Sequence, residues 1–177
     1  MSALARVPGN APEIRPRYGL DVTASLVIDR ADFADPALAV FLQEHLDDME
    51  HTSPPESRHA LDLAGLQQPH VRMWTATDAD VIVGTVALAT LEPGHDELKS
   101  MRTDPLRRGQ GIGALLLDAA LADARARGVQ RVSLETGSMD FFAPARRLYE
   151  RAGFRPCAPF GRYGDDPNCA YFTLELA

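Results

Sequence analysis

The sequence has little of what marks a secreted, membrane-spanning or nucleic-acid-binding protein. Its two cysteines, Cys157 and Cys169, form no CxxC motif and have no histidine at metal-ligand spacing, so we expect reduced, buried thiols and a cytoplasmic location. The longest strongly apolar stretch, VIVGTVALATL, is about half the length that spans a bilayer. Lys and Arg number 18 against 25 Asp and Glu. The resulting net charge of -7 excludes a general nucleic-acid binder, which needs a basic face.

The N-terminal residues MSALARVPGNAPEIRPRYG also lack the continuous apolar segment of a signal peptide. Their content of Pro, Gly and Arg predicts a flexible extension over residues 1–20, followed by one domain over residues 21–177. A chain of 177 residues is long enough to bury a substantial core in a single domain. Its 45% of hydrophobic and 24% of charged residues are ordinary for a globular protein.

Hydrophobic periodicity predicts about seven strands and about four helices in a mixed order. The strand candidates are ASLVIDR, a hairpin over VRMWTATDADVIVGTVALATLE, DELKSMRT, VQRVSLET, FRPCAPFG and NCAYFTLEL. The helix candidates are DPALAVFLQEHLDDMEH, RHALDLAGL, residues 110–127 and APARRLYERAGF. The expected apolar faces are Leu38, Phe41, Leu42, His45 and Leu46 on the first helix, and Ile112, Leu115, Leu116 and Ala119 on the third. This order predicts one α/β domain with a mixed central sheet.

Three glycines at alternate positions, Gly109, Gly111 and Gly113, stand directly before an apolar helix in RRGQGIGALLLDAA. Backbone N–H groups at a helix start have no intrahelical partner, and the helix dipole favours an anion there. Glycine lets that backbone approach a phosphate closely. The alternative is a tight turn that binds nothing.

Two phosphate-binding systems fit this turn poorly. A P-loop is excluded because no Gly-Lys-Ser/Thr follows the turn. A dinucleotide fingerprint is matched in spacing by Gly109, Gly111 and Ala114, with Glu135 about twenty residues further along. That fingerprint follows a buried, uniformly apolar strand, whereas ELKSMRT is half polar and DPLRR separates it from the turn.

A third system fits better. RRGQGIG has the form Arg/Gln-x-x-Gly-x-Gly/Ala, with Arg108, Gly111 and Gly113 at its fixed positions. It resembles the acyl-CoA pyrophosphate loop of the GNAT superfamily of acyl-CoA-dependent N-acetyltransferases. The resemblance continues through VSLETG and ARRLYERAGF, so that it covers roughly residues 80–156. ELKSMRT, SLETGSM and FGRYGDDPN are similar to a subgroup of uncharacterised bacterial members.

The resemblance implies that an amine attacks the thioester of acetyl-CoA, the expected cosubstrate, with no metal. It also implies two sets of cofactor-binding residues. The pyrophosphate would meet the backbone of Arg108, Gly109, Gln110, Gly111, Ile112, Gly113 and Ala114. Pantetheine and the thioester oxygen would meet the backbone of Met101, Arg102 and Thr103, on a strand that the family separates from its neighbour.

Two catalytic residues follow from the resemblance. Glu97, six residues before Thr103, occupies the position of a general base in some members; a solvated glutamate at a strand end is the alternative. His95, Asp96 and Glu135 are nearby substitutes. Tyr149 matches the tyrosine that protonates the departing thiolate, although sequence alone describes it as a core aromatic.

One position departs from the family pattern. Many members carry an asparagine that contacts pantetheine seven residues before the tyrosine, and this chain has Phe142 there. One expected cofactor contact is therefore missing, which leaves the acyl-chain preference open.

The acceptor side is rich in charge. Asp47, Asp48 and Glu50 either attract a cationic amine or form a solvated helix face. Lys99 and Arg102 either recognise a carboxylate on a small amino-acid-like acceptor or form salt bridges within the sheet. His45, His51 and His59 form no HExxH motif, which predicts no metal site.

The sequence thus predicts an N-acetyltransferase for an amine of a small molecule or protein. It predicts neither nucleic-acid nor membrane partners, and it leaves a homodimer open. The rival interpretation is an acyl-CoA-binding sensor or interaction module that has lost the chemistry.

Overall fold

A computed structural model describes residues 25–50, 54, 57 and 59–176. The predicted extension over residues 1–20 and the first residues of the predicted domain, 21–24, lie outside this part of the chain. The described residues form seven strands and four α-helices in a single α/β domain with a mixed sheet, as predicted. The strands are β1 Leu26–Arg30, β2 Val71–Asp78, β3 Val81–Glu92, β4 His95–Thr103, β5 Arg131–Gly137, β6 Arg155–Pro156 and β7 Cys169–Glu175. The helices are α1 Pro36–Glu50, α2 Leu63–Leu66, α3 Ile112–Ala126 and α4 Ala143–Arg151.

The seven strands form one sheet in the order β1-β2-β3-β4-β5-β7-β6. Only β4 and β5 run parallel, and α3 makes the crossover between them. All other neighbouring strands are antiparallel. The single parallel pair therefore lies in the middle of the sheet, directly beside the start of α3.

Each face of the sheet buries its own apolar cluster. On one face, α1 and α2 cover Met73, Ile82 and Ala87. On the other face, α3 and α4 cover Val86, Leu98 and Leu134. The predicted face of α1 is confirmed by burial of Leu38, Phe41 and Leu42, with His45 and Leu46 partly buried.

The apolar stripe predicted for α3 is half wrong. The helix buries Ile112, Leu116, Leu117, Ala120, Leu121 and Ala124. Leu115 and Ala119, which were expected in the stripe, are only partly buried. The sequence of α3 is apolar at most positions, so the sheet beneath it decides which of them are covered.

Two predicted elements are shorter in the structure. The helix expected over RHALDLAGL is a single turn, α2, which begins after Asp62 because that carboxylate accepts a hydrogen bond from Gly65 N at 2.8 Å. The strand expected over FRPCAPFG is reduced to β6, since Pro156 and Pro159 have no N–H to donate to a ladder. Among the described residues, every helix is too short or too polar to cross a membrane.

Candidate active site

Strand β4 contains a bulge that decides which side chains face α1. Ser100 has a positive φ of 49°, and the pairing with β3 shifts between Thr85, opposite Arg102, and Ala87, opposite Lys99. The bulged strand thus contributes an extra residue at this point. As a result Lys99 and Arg102 both lie on the α1 side of the sheet, whereas Met101 packs with the α3 side.

Strands β4 and β5 separate after four pairs. His95–Leu98 pair with Arg131–Leu134, and within the described residues no later part of β4 pairs with β5. Strand β5 continues beside β7 as far as Gly137. The two strands therefore leave a gap beside Met101, Arg102 and Thr103. The backbone N–H and C=O groups on this edge of β4 do not pair with β5 and can bind another partner.

The glycine loop follows at the open end of this gap. Asp104 fixes its start by accepting a hydrogen bond from Leu106 N at 2.9 Å. Gly109 and Gly111 have φ angles of +77° and +82°, which favour glycine, and Gly111 is the N-cap of α3 without a side-chain hydrogen bond. A Cβ built at either glycine meets no atom within 4 Å. The loop therefore presents open space in front of the free amides of the first turn of α3, which suits an anion.

Gly113 brings α3 close to both β4 and α4. A Cβ at this position would lie 3.3 Å from Leu148 Cδ2, 3.4 Å from Thr103 Oγ1 and 3.5 Å from Met101 Cε. The two sets of residues expected to bind the cofactor are thus adjacent in the fold. Their placements differ: Arg108, Gly109 and Gly111 are exposed, Gln110, Gly113 and Ala114 are partly buried, and the side chain of Ile112 lies in the core.

Arg108 and Gln110 have side-chain neighbours within the protein. The guanidinium of Arg108 lies 5.7 Å from the ring centre of Phe141, which is half exposed. Gln110 Oε1 accepts a hydrogen bond from Arg107 Nε at 2.9 Å. The guanidinium of Arg108 is therefore exposed to solvent beside the loop, where its charge adds positive potential.

Tyr149 lies on the buried face of α4 and is 5% exposed. Its ring centre is 5.9 Å from that of Phe154, and its hydroxyl has no hydrogen-bond partner in the described part of the chain. Burial, followed by the negative charge of Glu135, raises the pKa of Tyr149 well above its ordinary value. The hydroxyl of Tyr149 is therefore protonated at neutral pH.

Phe142 fills space at the end of β5. A Cβ built at Gly137 would overlap the ring carbons of Phe142, so the ring packs directly against the glycine. Arg146 Nη1 donates to Gly137 O at 2.6 Å and to Met139 O at 2.9 Å, which fixes the turn before α4. Phe142, at the position that departs from the family pattern, thus makes an apolar contact with Gly137.

Glu97 is not a solvated strand-end residue. Its side chain is 7% exposed and forms an ion pair with Lys99, whose Nζ lies 2.9 Å from Glu97 Oε1. The hydroxyl of Tyr163 donates to the same carboxylate oxygen and is 2.9 Å from Lys99 Nζ. Tyr163, in the loop between β6 and β7, was not among the residues expected from the sequence. The aromatic and glycine residues of FGRYGDDPN were its only signal.

Glu97 and Lys99 line a cavity of about 910 Å³ on the α1 and α2 face of the sheet. Other walls come from the segment before α2, from β3 and β5, and from the loop after β6. They include His59, His95, Arg131, Ser133, Phe160 and Tyr163. The cavity and the glycine loop therefore lie on opposite faces of the sheet. The cavity is lined by the paired part of β4 and β5, and Lys99 in its wall directly follows the last pair, at Leu98.

The substitutes for Glu97 have different surroundings. His95 is buried in the cavity wall, with Nε2 2.8 Å from Ser133 Oγ. Asp96 points to the opposite face, where Arg127 Nη2 lies 2.5 Å from its carboxylate. Burial raises the pKa of Glu135, on β5, against the opposing effects of Cys169, His59 and Lys99. Asp96 is thus held in an ion pair away from the cavity.

The charges expected on the acceptor side are paired within the protein. Arg102 is 6% exposed and lies 3.2 Å from Asp48 and 3.5 Å from Glu44 on α1, while Asp47 accepts from Gln43 Nε2 at 2.8 Å. The salt bridge of Lys99 lies within β4, whereas that of Arg102 joins the sheet to α1. The side chain of Glu50 is outside the described residues.

Within the described part of the chain, one group of potential metal ligands lies close together, and it includes one cysteine and one histidine. Cys157 and Cys169 are free thiols and are half-buried rather than buried as expected. Donor atoms of His59, Asp166 and Cys169 lie within 4.8 Å of one another. His51 falls outside the described residues, and the absence of a metal stays a prediction.

Comparison with known proteins agrees with this geometry. The profile of the acetyltransferase (GNAT) family matches residues 38–154. The uncharacterized N-acetyltransferase YsnE of Bacillus subtilis is 43% identical over 145 residues, which are 82% of this chain and 96% of YsnE. The IAA acetyltransferase of Azospirillum brasilense is 39% identical over 124 residues, 70% of this chain and 80% of that protein.

A solved structure shares the fold. The crystal structure of an acyl-CoA N-acyltransferase from Klebsiella pneumoniae superposes with a TM-score of 0.70 at 28% identity, covering 86% of this chain and 98% of that one. These matches define an α/β acyltransferase. The chain belongs to the acetyltransferase (GNAT) family, and the resemblance found in its motifs is confirmed.

Proposed function

We propose that this chain moves an acetyl group from acetyl-CoA to an amine. The observation that carries the proposal is the gap between β4 and β5. It extends from the start of α3, on one face of the sheet, to the last paired residues of β4, where a buried carboxylate lines a cavity on the other face. A donor bound at the first place and an acceptor bound at the second would meet in the gap. The two free cysteines agree with a cytoplasmic location.

The loop before α3 supplies the donor site. The amides of residues 108–114 hold the pyrophosphate, since Gly109 and Gly111 leave room in front of them and the helix dipole adds favourable potential. The free edge of β4 at Met101, Arg102 and Thr103 then holds the pantetheine and donates to the thioester oxygen. Donors fixed in this way stabilise the negative charge that develops on that oxygen.

Glu97 acts as the general base from the cavity side. An amine attacks only when unprotonated, so a carboxylate near the acceptor must take a proton from it, directly or through one water. The amine nitrogen forms a bond to the carbonyl carbon, and its proton passes to Glu97.

Tyr149 acts as the general acid. The carbon–sulfur bond breaks as the amide forms, and the thiolate takes the proton of the Tyr149 hydroxyl. The raised pKa of Tyr149 keeps that proton in place at neutral pH. Both groups return to their starting states by exchange with solvent.

The acceptor is an amine of a small molecule or of an exposed protein segment. A volume of about 910 Å³ lies within the range of small-molecule sites. Lys99 and Arg131 in its wall face Glu92, Glu97 and Glu175, so the lining suits a molecule with groups of both signs. An amino-acid-like amine has that character.

The test is release of free CoA thiol from acetyl-CoA across a panel of amines: the amino acids, polyamines and short peptides with free N-termini. We expect turnover with at least one of them, and a loss of about 100-fold or more in Glu97→Gln, as for removal of a general base. Glu175→Gln is the matched control because Glu175 lines the same cavity but is exposed. Intact CoA binding without turnover on any amine would instead support the non-catalytic sensor.

A further inference from the structure

The two oxygens of the Glu97 carboxylate have unequal surroundings. Oε1 accepts from both Lys99 Nζ and the Tyr163 hydroxyl. Oε2 has no partner among the residues that the structure describes. With Oε1 occupied by two donors, only Oε2 is available to an incoming amine or to a water bound to it.

Tyr163 is held in place by the rings around it. Its ring centre lies 5.1 Å from Phe160, 5.6 Å from Tyr171 and 4.9 Å from His59. These contacts are edge-on or tilted, which is the favourable geometry for aromatic pairs. The hydroxyl therefore meets Glu97 from a fixed direction, although it comes from a loop 66 residues away in sequence.

We propose that Tyr163 and Lys99 are positioning residues that hold Oε1 of Glu97 and direct Oε2 toward the acceptor amine. This rests on the proposed function, in which Glu97 is the base. A carboxylate with a fixed orientation loses less freedom when the amine arrives, so the reacting geometry is populated more often. Lys99 balances the charge of Glu97 in a place where an isolated carboxylate would be costly to bury.

The protonation state of Tyr163 agrees with this role. Burial, together with the charge of Glu97 and the hydrogen bond to it, raises the pKa of Tyr163 far above its ordinary value. The hydroxyl therefore remains a donor throughout the neutral range. The titratable groups that face it are Glu97 and Lys99 from β4, Glu135 from β5, Cys169 from β7 and His59 from the segment before α2.

The contact is tested without turnover by following the ionisation of 13C-labelled tyrosine by NMR. The chain has 4 tyrosines, and Tyr163→Phe assigns the signal. Glu97→Gln removes the negative charge that favours neutral tyrosine and leaves only a neutral amide oxygen as acceptor, so Tyr163 should ionise at lower pH in that variant. Tyr171 is the internal control, because its pKa is raised by burial, Cys169 and Glu135 rather than by Glu97. Unchanged ionisation of Tyr163 in Glu97→Gln would overturn the contact.

The catalytic role is tested with the most active amine of the panel. Tyr163→Phe keeps the ring and the ion pair of Glu97 but removes one donor. We expect kcat to fall about 10- to 100-fold, the range for a lost hydrogen bond to a charged group, with KM for acetyl-CoA within about twofold. Tyr171→Phe is the matched control. Its hydroxyl donates to Gly164 O at 2.9 Å in the same aromatic cluster and does not contact Glu97.

The outcomes separate the two proposals. Equal kcat in the wild type, Tyr163→Phe and Tyr171→Phe, combined with a large loss in Glu97→Gln, would overturn the positioning role and leave the base in place. A loss in Tyr163→Phe with full activity in Glu97→Gln would overturn both the positioning role and the base. A wild-type chain that acetylates no amine would remove the reaction and the positioning role together, even where the NMR titration detects the contact.

Discussion

Gly111 and Gly128 stand at the two ends of α3 and offer a matched pair of substitutions. Their φ angles are +82° and +74°, and a Cβ built at either position meets no atom within 4 Å. Alanine at each site therefore carries backbone strain without a steric clash. The left-handed conformation costs an L-residue about 1–2 kcal/mol.

The two variants should lose stability equally. For a chain of this size, each kcal/mol lowers Tm by about 2–4 °C, so both Gly111→Ala and Gly128→Ala should melt about 2–8 °C below the wild type. Thermal denaturation followed by circular dichroism measures this change. The equal effect on folding makes Gly128→Ala a control for every other property of Gly111→Ala.

The affinity for CoA should differ between them. A Cβ at Gly111, the N-cap of α3, occupies space that is open in the wild type, and we expect it to separate the pyrophosphate from at least one amide donor. Loss of one hydrogen bond to a charged group costs about 1.5–3 kcal/mol, which raises Kd about 10- to 100-fold. Isothermal titration calorimetry with CoA should give wild-type affinity for Gly128→Ala. Equal affinities in the two variants would refute the assignment of the phosphate to this loop.

Three further predictions concern other parts of the chain. Tyr149→Phe should lower kcat about 100-fold or more while calorimetry detects unchanged CoA affinity; unchanged turnover would remove Tyr149 as the acid. Gly137→Ala should destabilise the fold by about 1–3 kcal/mol in urea denaturation because its Cβ overlaps Phe142. Adding Phe142→Ala to this variant should relieve most of that cost. Additive losses from the two substitutions would contradict the contact. Burial, followed by the charge of Arg102, lowers the pKa of His45 to about 4. The unfolded chain therefore protonates this histidine at a higher pH than the folded chain does. Up to about 3 kcal/mol of stability that is present at neutral pH should be lost as pH falls from about 6.5 to 4. His45→Gln should show a weaker dependence on pH over that interval, and an identical dependence would exclude His45 as its source.

The glycine turn before α3 could be predicted from the sequence because its causes are local. Glycines that adopt a positive φ, followed at once by a helix, are visible in a short stretch such as RRGQGIG. The gap between β4 and β5 has no such signal. It depends on the bulge at Ser100 and on pairing that ends at Leu98, and the residue types of β4 do not reveal either. Only the family resemblance led to that expectation.

The rest of the site could not be predicted from the sequence because it depends on contacts between segments that are distant in the chain. Tyr163 meets Glu97 across 66 residues of sequence, and its loop has no periodic pattern from which a direction could be read. The stripe on α3 failed for a related reason: Leu115 and Leu117 are equally apolar, and only the position of the helix over β3 determines that Leu117 is the buried one. Local patterns thus predicted the glycine turn, whereas the contact between Tyr163 and Glu97 depends on the folded chain.

A crystal structure of the chain with bound CoA would test the central claim most directly. We expect the pyrophosphate oxygens within hydrogen-bond distance of backbone N atoms between Arg108 and Ala114. The pantetheine should follow the free edge of β4, and the sulfur should lie in the gap between β4 and β5, within reach of the Tyr149 hydroxyl. CoA bound away from the start of α3, or a gap closed by pairing of Met101–Thr103 with β5, would contradict the account.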